Sequence, residues 1–303
     1  MSFNVSNLSD YTLKATELLR TEALFSESLG RFDYMTNIQH KQYLNYIDSN
    51  PAIQAGKCDL DASGTTVFDE KEIQVFPIAF REKYCIDDLN KKDLAFGGGK
   101  GTLNGVMIPD LQTSLLLDNS KSIKKQVEKL IFAGKTSSGD IFDGLITQFA
   151  ADSDVIDISS TGVTVDNIDN ILQDIALAIT DEMWARGKMI YIHMPLAYYN
   201  LYRINRVNAN FYHDDPKNTG LMSMPFFGWE GQIAIVAEPS LAGTKTIFAT
   251  WDENIVVGTD EISEISSAKI YFDENTDYVK YKASMKLGVA YKFGKEVIMF
   301  VGA

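Results

Sequence analysis

The sequence predicts an α+β chain, and three observations carry that prediction. Residues 109–134 have the period of one long amphipathic helix, the region from about 164 onward alternates helical with extended patterns, and the stretch from 268 alternates apolar with polar residues one by one. With 45% hydrophobic residues in 303, the chain holds enough apolar material for one large core or two smaller ones, which excludes disorder as a global state.

Residues 9–35 read as a helix: Ser9 or Asp10 supplies the N-cap, Leu13, Leu18, Leu19, Leu24, Phe25 and Leu29 recur at helical spacing, and Gly30 is its stop signal. Tyr43–Asp48 then reads as a short extended piece closed by Asn50-Pro51, because the residue before a proline is pushed out of the helical region. A hairpin follows, with arms at 53–58 and 66–76 around the turn-forming DLDASGTT, the second arm ending in the β-prone Ile73, Val75 and Phe76. An isolated two-stranded hairpin is marginal in water. Nothing in roughly the first 90 residues can build its own core, so this region is expected to lie on the rest of the chain or on another copy.

The helix over 109–134 has Pro109 in its first turn, Leu116, Ile123, Val127, Leu130 and Ile131 on one side, and Gly134 as its C-cap. At 1.5 Å per residue it spans roughly 39 Å, most of the width of a compact body of this size, and so reads as a structural spine. An α/β unit follows: helix 166–180, strand 188–194, helix 195–208 opened by Pro195, and strands 232–237, 245–250 and 254–257. Within it, FYHDDPKNTGLMSMPFFGW reads as a long loop with exposed aromatics and methionines. The closing segments 268–274, 278–293 and 296–301, with Asn275 and Gly294 at the reversals, predict an antiparallel sheet.

Charge and cysteine content narrow the function classes. The 28 Lys and Arg against 41 Asp and Glu give a net charge of −13, which argues against holding nucleic acid by neutralising its phosphates. An acidic protein can still enclose DNA without adhering to it. Cys58 and Cys85 form no CxxC pair, and a hairpin reversing near Ser63 and Gly64 places Cys58 opposite about residue 69, so reduced thiols are expected. The start MSFNVSNLSDY lacks a signal peptide's basic and apolar regions, and no stretch reaches 18 uninterrupted apolar residues. A soluble protein made in a cytosol is therefore expected, and the sequons at Asn4 and Asn7 are chance matches.

The motifs that point to chemistry fail on context. Asp59, Asp61, Ser63, Gly64 and Glu70 match an EF-hand loop, but Pro51, Gly56 and Pro77 and a β-prone run stand where its helices would be. FGGGKGT at 96–102 lacks the first P-loop glycine, Leu94 standing there, and has Gly101 where a magnesium ligand belongs, so a flexible connector is expected. His40, His193 and His213 share no metal spacing, and His193, in the strand IYIHMP, reads as a hydrogen-bonded core histidine rather than a catalytic base. Asp87-Asp88 and Asp214-Asp215 are adjacent in sequence and would not face each other as a catalytic pair must. No catalytic, cofactor or metal residue is assigned, and no enzymatic activity is expected.

The order of helical arm, unsupported hairpin, spine helix, α/β unit and closing sheet resembles the major capsid protein of tailed bacterial viruses, the Hong Kong 97-like fold. Three stretches carry the likeness. FDEKEIQVFPIAFREKYCIDDL is similar to that family's E-loop and its return to the body. KKQVEKLIFAGKTSSGDIFDGLI is similar to the spine helix, ending at Gly134 and leading to Phe142, Asp143, Gly144 and Leu145. IAIVAEPSLAGTKTIFATWDENIVVGTD is similar to the return from the axial to the peripheral domain.

The resemblance implies an N-terminal arm at 1–48, an E-loop at 49–92, a first peripheral part at 93–150, an axial domain at 151–261 whose loop near 210–228 points at the symmetry axis, and a second peripheral part at 262–303. It implies self-assembly into the pentamers and hexamers of an icosahedral head around double-stranded DNA, with arm and E-loop lying across neighbouring subunits. Implied partners are portal, scaffold and head-completion or decoration proteins; no membrane is involved. The implied location is the virion capsid, assembled in the host bacterial cytoplasm. Because the arm begins within about ten residues of Met1, a separate scaffold protein or none is expected. Lys71 and Asn275 read as solvated surface residues, not as the cross-linking pair of some relatives. The alternatives are an encapsulin-like compartment around a cargo enzyme, and an α/β enzyme of residues 151–261, for which no nucleophile, base and orienting group can be named.

Overall fold

The computed structural model describes residues 29–51, 64–85, 109–158, 161–209, 223–229, 231–260, 269–273 and 278–303. In chain order they form a 3-10 turn at Leu29–Arg31, then β1 (Asp33–Met35), β2 (Lys41–Pro51), β3 (Gly64–Gln74), β4 (Phe76–Cys85), α1 (Pro109–Ala133), α2 (Leu145–Ala151), β5 (Ile156–Ile158), α3 (Ile168–Leu177), α4 (Asp181–Ala185), β6 (Ile190–Pro195), α5 (Leu196–Asn208), β7 (Ser223–Pro225), β8 (Ile233–Glu238), β9 (Thr246–Thr250), β10 (Ile255–Gly258), β11 (Lys269–Asp273), β12 (Tyr278–Tyr291) and β13 (Ile298–Val301).

One five-stranded sheet is organised around β12, which pairs antiparallel with β4 and β11 over its first part and with β10 over its last four residues, while β1 adds parallel to β10. Alternation sends Tyr281, Ala283, Met285, Leu287 and Val289 to one face, where Ile123, Val127 and Ile131, at helical spacing along α1, cover them. A second, six-stranded sheet has the order β5-β13-β9-β6-β8-β7. Its far face carries Ile192, Met194, Ile235 and Ala237 and is closed by Ile168, Leu172 and Ile175 of α3, Met183 of α4 and Tyr199 and Tyr202 of α5.

The two cores meet at β9 and β13. Ile247, Ala249, Ile298 and Phe300 point into the core under α3 and α5, whereas Phe248 and Met299, one residue out of phase, point into the core under α1. These strands are therefore buried on both faces over Thr246–Thr250 and over 298–300, and their central residues are apolar without alternation.

Several expectations are corrected. Residues 33–35 are not helical: past the stop at Gly30 the chain joins Val256–Gly258 as a parallel strand, and sheet pairing overrides helical spacing; the rest of the expected helix, 9–28, lies outside the described residues. The hairpin's arms are Lys41–Pro51 and Gly64–Gln74, so the extended piece at 43–48 is its first arm rather than a separate element. Expected helix 166–180 is α3, Ile168–Leu177, and a short helix that was not expected, α4, follows it, opened by the Thr180 side chain accepting from the Met183 amide. Strand β10, at expected strand 254–257, lies in the five-stranded sheet, and β13, at expected strand 296–301, leaves the antiparallel sheet to pair with β9 and β5.

The end of the expected loop is ordered as well. Residues 223–225 form an edge strand on β8, Met224 and Phe226 are buried, and Trp229 stacks on Trp184. Residues 211–222 of that loop lie outside the described residues.

Candidate functional site

The β2–β3 hairpin is a ribbon of eleven residue pairs, from Lys41↔Gln74 to Pro51↔Gly64, and among the described residues its strands pair only with each other. At about 3.4 Å per residue each arm spans about 37 Å. At its base Leu44 and Ile73, with Val75 and Ile38, cover Val256 and Ala290 on the outer face of the five-stranded sheet. Next to that patch, Gln42, Tyr43, Asn45 and Glu72 face solvent.

Two contacts fix the base to the body. The backbone at Gln74 crosses β12 at Gly288 so closely that a Cβ on Gly288 would sit 1.9 Å from the Gln74 carbonyl oxygen, and glycine is what permits the crossing. Beside it, Lys71 of β3 reaches over the ring of Tyr291, 3.7 Å from its centre, and pairs with Asp152 Oδ2 at 2.5 Å, an oxygen that also accepts from the Tyr291 hydroxyl at 2.5 Å. Burial pushes the Asp152 carboxyl up, but the Lys71 ammonium, the Tyr291 hydroxyl and the Asp154 amide together outweigh it and hold it below the ordinary carboxylate range. Burial, reinforced by Asp152, pushes the Tyr291 phenol far upward.

The two sheets are joined where β9 passes to β10 and, alongside, β12 passes to β13. Asn254 ties the two passages: its side-chain amide donates to Thr250 Oγ1 and the Phe293 carbonyl, and its Oδ1 accepts from the Phe293 amide at 2.8 Å. Glu296 adds a second tie, accepting from Trp251 Nε1 at 2.6 Å and from Arg186 at 2.5 Å.

His193 is the polar centre of the face toward α1. It is fully buried, stacked on Phe248 with ring centres 4.7 Å apart, with Nδ1 3.1 Å from Glu238 Oε1 and Nε2 3.5 Å from Asp252 Oδ1. Arg31 closes the cluster, its guanidinium 3.2 Å from Glu238 Oε1 and 4.0 Å from Asp252 Oδ2. Burial lowers the tendency of His193 to hold its proton, but Asp252 and Glu238 outweigh burial, and its affinity for the proton is raised. The carboxylates flank opposite ring nitrogens, so they do not converge on one metal position, and no group of three or more potential ligands does so among the described residues. His193 is thus the hydrogen-bonded core histidine expected from its strand.

The other singled-out residues are dispersed. His40 is exposed ahead of the hairpin, and Cys85 ends β4 opposite Tyr278. Gly64 and Glu70 of the EF-hand match stand in strand β3, a conformation incompatible with that loop and its exiting helix. Cys58, Asp59, Asp61, Ser63, Asp87, Asp88, the glycine segment 96–102, His213, Asp214, Asp215 and Asn275 lie outside the described residues. No helix among the described residues is long and apolar enough to cross a membrane.

The fold as a whole has solved counterparts. The satellite phage P4 procapsid including size determination protein is similar over 99% of this chain and 91% of its own, with a TM-score of 0.58 and 12% identity. The capsid of the native GTA particle matches over 93% and 90%, with a TM-score of 0.59 and 12% identity. This chain has the fold of phage major capsid proteins. The virus-like particle from Pyrococcus furiosus is similar over 96% of this chain and 98% of its own, with a TM-score of 0.55 and 9% identity. No family model and no curated protein matches the sequence.

Sequence reasoning missed strand β4, although Phe76, Ile78, Phe80 and Tyr84 alternate with the exposed Pro77, Ala79, Arg81 and Lys83. It also missed the partners of His193. Glu238, a lone carboxylate at the end of the apolar run IAIVAE, was the available signal, since a charge in such a place needs a buried partner.

Proposed function

We propose that this chain is the structural subunit of a closed shell: it assembles into the pentamers and hexamers of an icosahedral phage head that encloses double-stranded DNA, working with portal, scaffold or decoration proteins, and has no enzymatic role. The observation that carries the reading is the ribbon. Eleven residue pairs in a two-stranded sheet, which pairs with no third strand among the described residues, do not stabilise themselves in water, so the ribbon's outer part needs a surface on another copy. The fold likeness to capsid subunits supports that copy being identical. Further support comes from Leu177, Ile204 and Val207, exposed by 74%, 48% and 58% on α3 and α5, apolar surface that an isolated subunit leaves uncovered. A net charge of −13 suits a container whose contents must not adhere to its wall.

Negative-stain microscopy and small-angle scattering of the purified chain test this. Uniform hollow particles or rings are expected. A concentration-independent monomer with a radius of gyration near the roughly 19 Å of a compact body would overturn the reading. Replacing residues 45–70 by a short Gly-Ser turn is expected to leave a folded chain that no longer assembles.

A second reading, an encapsulin-like compartment with a cargo enzyme, is favoured by the end-to-end likeness to the Pyrococcus furiosus particle. The contents of purified particles decide between the two: nuclease-protected DNA for the head, a stoichiometric second protein for the compartment.

A further inference from the structure

The segment that leads into β1 is seated on the body by the buried Leu29 and Phe32 and by the charge of Arg31. Arg31 and Phe32 lie directly on His193: the Arg31 guanidinium reaches Glu238 and Asp252 and stands 5.5 Å over the Tyr191 ring, while Phe32 packs 6.1 Å from the His193 ring and 5.8 Å from Phe132. The cluster balances when His193 is doubly protonated, two cations against two carboxylates. Without the second proton a ring lone pair faces a carboxylate in a dry site and one negative charge is left over. Incomplete pairing is already visible, since Arg31 Nε, His193 Nε2, Glu238 Oε2 and Asp252 Oδ1 are buried without an aligned hydrogen bond.

We propose that His193 is a proton switch that latches residues 29–35 onto the body, through Glu238 and Asp252 to Arg31, and releases them when it deprotonates. The groups facing the imidazole are Glu238 from the end of β8, Asp252 from the passage between β9 and β10, Arg31 from the N-terminal turn and Tyr191 from its own strand; Phe132 of α1 and Phe248 of β9 contribute apolar rings. Outside them, Lys188 pairs with Glu253 at 3.3 Å. A histidine whose proton affinity is raised by folding contributes stability that is fully present below its ordinary value of 6.5 and is lost as pH rises through the folded value. The latch therefore holds below 6.5 and opens as pH rises through the folded value above it. It stands independently of whether the chain builds a shell.

Hydrogen exchange of the full chain from pH 6 to 9, corrected for intrinsic rates, reads the latch directly. Protection of 29–38, relative to strand 246–250, is expected to fall by up to about tenfold per pH unit beyond a midpoint above 6.5. E238Q and D252N each remove one carboxylate from the histidine and are expected to move that midpoint to lower pH, a displacement that a merely structural contact would not produce. R31Q is expected to lower protection already at pH 6. Protection that is flat across the range, a midpoint unmoved in whichever of E238Q and D252N folds, or an R31Q chain as protected as the parent at pH 6 would each overturn the proposal.

Discussion

Strand β9 and the β2–β3 ribbon show opposite ways of using alternation. In β9 all five residues are buried, because successive side chains serve two different cores, Phe248 one and Ile247 and Ala249 the other. In the ribbon, Leu44 and Ile73 find a core while their neighbours Gln42, Tyr43, Asn45 and Glu72 look into water. A strand covered on both faces carries its stability within the subunit, whereas a ribbon that pairs with no third strand among the described residues is, on the proposed reading, left to a partner. On the proposed reading, the difference assigns stability to one region and assembly to the other.

The contrast is broken most severely at β9. Phe248→Ala empties a site between His193, Phe132 and Phe149 and is expected to cost about 3–5 kcal/mol in denaturant unfolding, with assembly lost as a consequence of misfolding. Next, Gly288→Ala forces the ribbon's root away from β12. About 1–3 kcal/mol of destabilisation is expected, with faster hydrogen exchange at 71–75 but not at 246–250.

Lys71→Met removes the half-exposed clamp on Asp152 and should cost only about 0.5–1 kcal/mol near neutral pH. The sign follows from the lowered carboxyl: its contribution is present above the ordinary 3.8 and lost as pH falls through the folded value, so unfolding curves of parent and variant should converge in acid. Least of all, Tyr43→Ser, at a side chain 46% exposed, should leave monomer stability within about 0.5 kcal/mol while reducing particle yield in size-exclusion chromatography. Equal losses of stability at Phe248 and Tyr43 would erase the comparison.

Much of this was legible in the sequence because it is local. The spine helix declared itself through Pro109, its apolar side and Gly134, and β12 through strict alternation. The hairpin's existence was legible but its arms were not. Asn50-Pro51 and DLDASGTT both signal turns, and choosing between them depends on long-range cover of Leu44 and Ile73 by Val256 and Ala290, more than 180 residues away. For the same reason the alternating run at 296–301 looked like one more strand of its neighbour's sheet; its pairing with Ala249 and Ile156 is set by which core receives Ile298. The charged cluster was half legible, its histidine visible by rarity and its carboxylates hidden among 41 acidic residues.

The root of the ribbon has a mechanical consequence. A stiff arm of about 37 Å pivoting where Gln74 crosses Gly288 turns a tilt of about 5° into a displacement of about 3 Å at its tip, roughly the length of one residue. The Cβ that one glycine lacks therefore sets the pivot of the ribbon and, by leverage, how far its tip swings.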